Sequence, residues 1–480
     1  MTTIHEDADE PHRYAKAPHL WALGVGAVIS GEFFGWQSGL VAGFDDLLVI
    51  CAVVTVLYVL LAFSIAELST TLPSGGGPYV FALHGIGRTA AFFAGLAEAV
   101  KVVTTCAVVV VGIGSYLNKL IGFSDAFGPL WWVIFFILFV ALNVMGVELS
   151  FRIQLVSTLM SVALLLVFYG GAAPKIDYHQ WVIEQNWRFP DGMDGVLRGF
   201  SYSLWFYLGI EELPLAVEET IEPGKNMPIG LISSMLTLIV LAFGTIVANA
   251  AISPGAMSIA SSTYPLLEGY KAAFGDNSIT AAFTWLLVIG LLTSFHSFIF
   301  CMGRLLYAIA RDGFLPRVLT HLHPTRGTPY VALVVGSALG LSLALALHFG
   351  IGDARLSAVL INLASAGALV SYVFQLVSFI RLRVNEPDRD RPYRSPFGIA
   401  GAVLCLLLCA FVLVTIVYNG VSSTDFLASV VAIVAVFLTG SVYYVYAVQP
   451  AVSANEPHAV KQLQETLLST TSAMPKSEVE

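Results

Sequence analysis

One glutamate and four glycines interrupt a segment otherwise apolar enough to cross a bilayer: GVGAVISGEFFGW, Gly24 to Trp36. Glycine inside a helix costs about 1 kcal/mol relative to alanine, and an acidic side chain at mid-membrane costs roughly 2.5 to 3.5 kcal/mol on insertion scales. A span that keeps both is predicted to be broken, its freed backbone groups satisfied by a bound solute or by buried protein. The chemistry open to such a site is reversible binding, in which broken-helix amides attract an anion and the Glu32 carboxylate favours an ammonium. A counterpart, FYLGIEELP from Phe206 to Pro214, repeats the glycine-then-glutamate interruption some 180 residues later.

The elements that must position these residues are membrane spans. Hydrophobic residues make up 57% of the chain and charged residues 11%, whereas soluble domains carry about 25% charged residues. Windows long enough to cross the hydrocarbon core predict twelve spans, at about 19–43, 47–71, 89–118, 129–147, 152–172, 195–219, 228–252, 279–308, 329–350, 356–380, 396–419 and 424–448. An even count puts both termini on one side. Sixteen lysines and arginines fall on the side of the tails against six on the other, which predicts cytoplasmic termini. The net charge of −9 reads as solvated surface, with no nucleic-acid partner. The tail before Trp21 lacks the basic flank and cleavage site of a signal peptide, so the first span is expected to be retained.

Placing the interruptions in spans one and six leaves five spans before the second break, and five is odd. The reading is an all-α integral membrane fold: a tail (1–18), a first five-helix repeat (19–172), an outer loop (173–194) and a second, inverted five-helix repeat (195–383). A charged inner loop (384–395), two additional helices (396–448) and a C-terminal tail (449–480) complete it. Residues 253–278 are expected to form an outer cap with a short helix. The stretch VNEPDRDRPYRS has the composition of a solvated linker.

Further residues have candidate roles. Glu211 and Glu212 follow Gly209, and adjacent positions point in different directions, so Glu211 is read as lining the site and Glu212 as pairing with a neighbouring span. Trp205, about one turn before Gly209, is a candidate lid. Glu98 and Lys101 are three apart and share a helix face as an ion pair, with gating or substrate choice as the alternative. His296 is the only histidine deep in a span and is a proton-coupling candidate, since imidazole titrates near neutrality; Glu32 and Glu211 are its rivals. Glu67, Glu218, Glu219, Arg304, Arg311 and Asp312 gather at the cytoplasmic ends of spans as a candidate inner gate. The five cysteines show no disulfide or metal spacing, and the SGGGP run lacks the lysine and preceding strand of a phosphate loop, reading instead as a turn or re-entry element.

The motifs ISGEFFGW, FSIAELSTTLPSGGGPYVFA, LWFYLGIEELPLAVEE and GRLLYAIARDGFLP, in that order, resemble the amino acid-polyamine-organocation superfamily of secondary transporters, and most the ethanolamine permease branch. The resemblance implies a LeuT-type fold with alternating access around a central site. It implies that Ser30, Gly31, Glu32 and Phe33, with Trp205, Gly209 and Glu211, meet the substrate, and that Thr293, Ser294 and Ser297 occupy the region of a second, sodium-type ion. Two departures stand out: VEETIEPGKNMP after span six, and the Glu98–Lys101 pair in span three.

The function expected from the sequence is a multi-pass permease, in the plasma membrane, for a small amine such as ethanolamine. A proton or sodium ion is a possible co-substrate and a homodimer a possible state, with no cofactor. An amino acid permease on the same scaffold is the alternative, and a non-transporting nutrient sensor a more distant one. No Ser/His, metal or nucleotide constellation supports an enzyme.

Overall fold

The computed structural model describes residues 13–185 and 189–450. The acidic residues ahead of Arg13, together with Arg188, Lys461 and Lys476, lie outside the described residues. The helices in chain order are α1 (Ala17–Val28), α2 (Ser30–Phe33), α3 (Phe44–Thr71), α4 (Pro78–Gly85), α5 (Arg88–Ile121), α6 (Gly128–Val144), α7 (Val147–Ala172) and α8 (Gly192–Leu204). They continue with α9 (Pro223–Ala250), α10 (Ala256–Ala260), α11 (Pro265–Phe274), α12 (Ser278–Arg311), α13 (Tyr330–Ile351), α14 (Asp353–Asn385), α15 (Gly398–Ser422) and α16 (Thr424–Tyr443).

Among the described residues, ten helices are long and apolar enough to cross a membrane: α3, α5, α6, α7, α9 and α12 to α16. The chain is an integral, multi-pass membrane protein. The two predicted spans missing from that set are the two with glycine and glutamate interruptions. In the first, α1 stops at Val28, α2 lasts one turn, Phe34 is extended, and Gly35 takes a φ of +97° that L side chains avoid before a 3-10 turn over Trp36–Ala42. In the second, α8 gives way to turns after Leu204, and a 3-10 segment over Ile210–Ala216 carries Pro214, which cannot continue an α-helix.

Burial ranks the helices. The apolar windows of α5 and α12 are each 83% buried inside the protein and that of α14 is 78%, whereas that of α16 is 17%. In lipid, where apolar side chains gain nothing by hiding from the solvent, such burial reflects packing and polar contact. α5, α12 and α14 therefore form the wall around the two breaks, while α16 presents Val431, Val434 and Leu438 outward.

One face of the bundle carries the start of the described chain. There the backbone N–H groups of Tyr14 and Ala15 both donate to the Glu219 carbonyl at 2.8 Å, and Ile221 N–H donates to the Ala15 carbonyl at 2.8 Å. This N-terminal face also holds the SGGGP run, which forms a turn into α4; Gly75 N–H donates to Glu218 Oε1 at 2.9 Å. On the opposite face, residues 253–278 fold into two short helices, α10 and α11, where one was expected.

The loop after α14 differs from the solvated linker read from its composition. Arg391 lies buried, its Nε 3.2 Å from Glu67 Oε1, and Ser395 N–H donates to Glu67 Oε2 at 2.7 Å. Arg383 adds a bidentate pair to the same carboxylate, Nε to Oε1 at 2.7 Å and Nη2 to Oε2 at 2.5 Å. The loop folds back because one buried carboxylate on α3 collects two guanidinium groups and an amide. Burial, with Glu67 nearby, also raises the phenol of Tyr393 above its ordinary range.

Glu67→Ala leaves two guanidinium groups without their shared acceptor, a change of the kind that costs about 3–5 kcal/mol when a buried pair loses one partner. Hydrogen exchange should then accelerate in residues 386–397 while α5 and α12 remain protected; unchanged exchange in that loop would show that Glu67 does not hold it.

Candidate functional site

The two breaks face each other at the level of Gly31. A Cβ at Gly31 would lie 2.5 Å from the Trp205 carbonyl oxygen, so glycine is what permits the approach. Trp205 Nε1–H donates to the Phe34 carbonyl at 3.0 Å, and Phe206 stacks on Trp36 with ring centroids 5.7 Å apart. Gly209, at φ +119°, sits against Phe298 of α12 and Ala27 of α1. Of the glycines singled out in the sequence, Gly31 stands where main chain meets main chain, whereas Gly24, Gly26, Gly35 and Gly209 make room for side chains of neighbouring segments.

Within this contact, Ser30 Oγ lies 2.9 Å from Ser294 Oγ, and the Ser294 hydroxyl donates to the Ala27 carbonyl at 2.5 Å. Phe33 is buried with its ring against Gly290, and its carbonyl accepts from Tyr116 Oη at 2.8 Å. Glu32 is fully buried, with no cation beside it among the described residues and no aligned hydrogen bond to either carboxylate oxygen, the Thr245 hydroxyl being the one polar side chain that interacts with it. The hydroxyls of Tyr169 and Tyr207 and the Cys51 thiol lie within its electrostatic reach, and Thr245 lies beside it. Two of these neighbours are tied elsewhere: Tyr169 Oη to Thr245 Oγ1 at 2.7 Å and Tyr207 Oη to Thr55 Oγ1 at 2.7 Å.

A second polar centre lies on the far side of the Gly209 break. Lys101 of α5 is fully buried and its Nζ donates to Glu98 Oε1 at 2.6 Å and to Glu211 Oε1 at 2.8 Å. Glu212 Oε1 is 2.8 Å from the same nitrogen, an ion contact without hydrogen-bond alignment. Ser371 Oγ–H donates to Glu98 Oε2 at 2.5 Å, and Tyr372 Oη–H donates to Glu211 Oε1 at 2.5 Å. Tyr58 Oη stands 3.1 Å from Tyr372 Oη. Glu211 also folds back on its own chain, accepting Gly209 N–H at 3.0 Å. Both its oxygens are engaged, so Glu211 props the break.

The remaining candidates separate. Thr293 and Ser297 hydroxyls bond carbonyls of their own helix, those of Ile289 and Thr293, at 2.7 and 3.1 Å. His296, two residues from Ser294, faces away from α1: its Nε2 is 2.9 Å from Ser150 Oγ of α7, its ring lies 5.6 Å from Phe139 of α6, and its Nδ1 has no partner. On the N-terminal face the proposed gate falls into two groups. Glu67 pairs with Arg383 and Arg391, whereas Arg304 takes Glu219, with Nε to Oε1 at 2.7 Å. Glu218 and Arg311 are 3.7 Å apart and half-buried to exposed, and Asp312 accepts the Tyr79 hydroxyl at 2.6 Å. Among the described residues no group of His, Cys, Asp and Glu is placed to hold a metal ion.

A model of the amino acid permease family matches residues 19–458. The chain belongs to that family. The permease is 28% identical over 409 residues to an uncharacterised transporter of Rhizobium meliloti, covering 82% of this chain and 84% of the relative. It is 24% identical over 421 residues to the branched-chain amino acid permease of Bacillus subtilis, covering 83% and 86%, and 27% identical over 419 residues to the methylthioribose transporter of the same organism, covering 82% and 87%. These relatives support a transporter on the amino acid permease scaffold and fit the amino acid alternative better than ethanolamine.

Two features of this permease were not legible in its sequence. The reach of Lys101 to span six joins residues 110 positions apart, a contact that helical spacing does not reveal. Trp36 Nε1 is a buried donor without a partner; its place in the ISGEFFGW motif was the one available signal.

Gly31→Ala should push the two breaks apart. Gly170→Ala on α7, where a Cβ meets nothing within 4 Å, is the matched control. Thermal unfolding in detergent should fall by several degrees for the first variant, as expected for a cost of about 1–3 kcal/mol from overpacking, and stay level or rise for the second. Equal midpoints would mean that Gly31 is not a tight contact.

Lys101→Met should be harsher, because it strands three buried carboxylates beside an apolar side chain, and removing one partner of a buried pair costs about 3–5 kcal/mol. Yield of monodisperse protein and unfolding midpoint test this; a midpoint like that of the unaltered protein would remove Lys101 from its central structural role.

Proposed function

We propose that this permease is a secondary transporter of amino acids that binds its substrate between the two breaks and works by alternating access. The observation that carries the reading is Glu32: a fully buried carboxylate with no cation and no aligned hydrogen bond among the described residues, at the point where two interrupted spans meet. Keeping a charge at Glu32 costs several kcal/mol unless it is paired, and a substrate ammonium beside it supplies the pair. Trp36 Nε1–H, unpartnered and on a ring stacked against Phe206, is a donor for the substrate carboxylate. Ser30, Gly31 and Phe33 shape the first half of the site, and Gly209 with Trp205 the second, Trp205 acting as the lid held by the Phe34 carbonyl. Glu211 supports the site from behind through Gly209.

In this reading the two broken segments complete a set of twelve spans, and residues 19–172 and 195–383 form inverted five-span repeats. The short helix α4 on the N-terminal face between spans two and three, and α10 with α11 on the opposite face between spans seven and eight, support that relation. The N-terminal face is cytoplasmic, since its loops hold the basic excess. Arg304–Glu219 and Arg311–Glu218 serve as the inner gate, with Glu67 anchoring the loop after α14. Ser294, bonded to Ser30 and Ala27, locks the first break.

Ethanolamine remains the second reading, favoured by the same Glu32, because it offers an ammonium without a carboxylate. Uptake of labelled L-leucine, L-glutamate, L-lysine, ethanolamine and putrescine into proteoliposomes, with and without a pH gradient, separates the two. Saturable uptake of an amino acid is expected, and Glu32→Gln should weaken its apparent affinity by about 10- to 100-fold, the worth of one charged hydrogen bond of roughly 1.5–3 kcal/mol. Ethanolamine uptake without amino acid uptake would select the second reading, and unchanged affinity in Glu32→Gln would remove Glu32 from the site.

A further inference from the structure

The Lys101 cluster holds three carboxylates and one ammonium, all fully buried. With every group ionised it carries two uncompensated negative charges in a fully buried region, where charges are weakly screened. The three carboxylates are not equally supported. Glu98 accepts from Lys101 and Ser371, and Glu211 from Lys101, Tyr372 and Gly209 N–H. Glu212 has only its contact with Lys101, 2.8 Å from Nζ and poorly aligned, and no second donor among the described residues reaches either of its oxygens. Hydrogen bonds to a carboxylate favour its charged form, so of the three Glu212 has the least to hold it charged.

The titratable groups facing Glu212 are Lys101, Glu98 and Cys106 of α5, Glu211 of its own segment and Cys301 of α12, with Arg304 one turn beyond Cys301. Tyr58 of α3 and Tyr372 of α14 face Glu211 instead. Lys101 and the more distant Arg304 are the only cations in that set, and Arg304 is committed to Glu219.

We propose that Glu212 is the proton site of this permease, and that the Lys101 cluster transmits its proton occupancy to the second break; the coupling half of this proposal rests on the transporter reading above. Binding converts the Glu212 carboxylate to a carboxyl and takes the formal charge of the cluster from −2 to −1, Lys101 keeping its own proton. Lys101 is then drawn less toward Glu212 and more toward Glu98 and Glu211. Because Glu211 also holds Gly209 N–H, and Gly209 packs against Ala27 of α1, a shift in Lys101 reaches the contact between the breaks. Release on the other side of the membrane reverses the sequence. His296, turned toward α6 and α7, plays no part in it.

Infrared spectroscopy of the full chain in lipid nanodiscs tests the proton site without any substrate. A protonated-carboxyl band at neutral pH should lose intensity in Glu212→Gln; no band in the unaltered protein, or an unchanged band in the variant, overturns the assignment. Glu212→Gln leaves Lys101 facing two carboxylates, so it should fold, and Glu32→Gln provides the comparison for a carboxyl outside the cluster. The coupling arm uses proteoliposomes containing a pH dye and the same labelled amino acids. Uptake in the unaltered protein should acidify the lumen, and in Glu212→Gln the acidification should fall by about tenfold or more while amino acid exchange persists. Amino acid uptake without proton movement in the unaltered protein overturns the coupling. Absence of any amino acid uptake overturns the transporter reading instead, and the infrared result still decides whether Glu212 holds a proton.

Discussion

One ammonium holds the middle of this protein together. Lys101 reaches from α5 to both glutamates of the second break, and the carboxylates it gathers are bonded in turn by Ser371 and Tyr372 of α14. Ion pairs within a membrane are costly unless every charge is met, so these contacts exist only if α5, α14 and the interrupted span lie at fixed separations. The register of three elements is thereby set by the reach of a single side chain. Apolar packing alone would not set it, since lipid offers apolar surfaces no penalty to escape.

The first break is held differently. Its contacts are neutral: Ser30 with Ser294, Ser294 with the Ala27 carbonyl, Trp205 with the Phe34 carbonyl, and the close approach at Gly31. Each such hydrogen bond contributes about 0.5–1.5 kcal/mol net, far less than the loss of one partner from a buried ion pair. Glu32 is the exception, an ionisable group placed among these neutral contacts without an ion-pair partner of its own among the described residues. The site therefore joins an ion-pinned half to a half that leaves one carboxylate open.

Much of this was legible in the sequence, for a definite reason. A glycine and a glutamate inside an apolar run are anomalies that composition exposes, so both breaks and the ten long helices could be read from pattern. What pattern cannot expose is a partner on another helix. Glu98 was matched to Lys101 because they lie three apart, while Glu211 and Glu212 were not. Glu67 was grouped with Arg304 and Arg311 because all three lie near helix ends; its actual partners come from α14 and a loop whose charges looked solvated. His296 was placed by depth, but depth does not say which neighbour a helix face meets, and that face meets α6 and α7.

The unequal bonding of the two halves also says which one moves at lower cost. Displacing the second break from α5 and α14 must separate Lys101 from fully buried carboxylates. Displacing the first break exchanges neutral hydrogen bonds, and its N-terminal extension is tied to residues 219–221 by three backbone hydrogen bonds and no charge on its own part. Those residues carry Glu219, whose partner Arg304 lies 12% exposed at the mouth of the N-terminal face, where water can reach the pair as it opens. Of the two halves, α1 with the residue 219–221 segment is therefore the less costly to displace, and α5, α14 and the Gly209 turn the more costly.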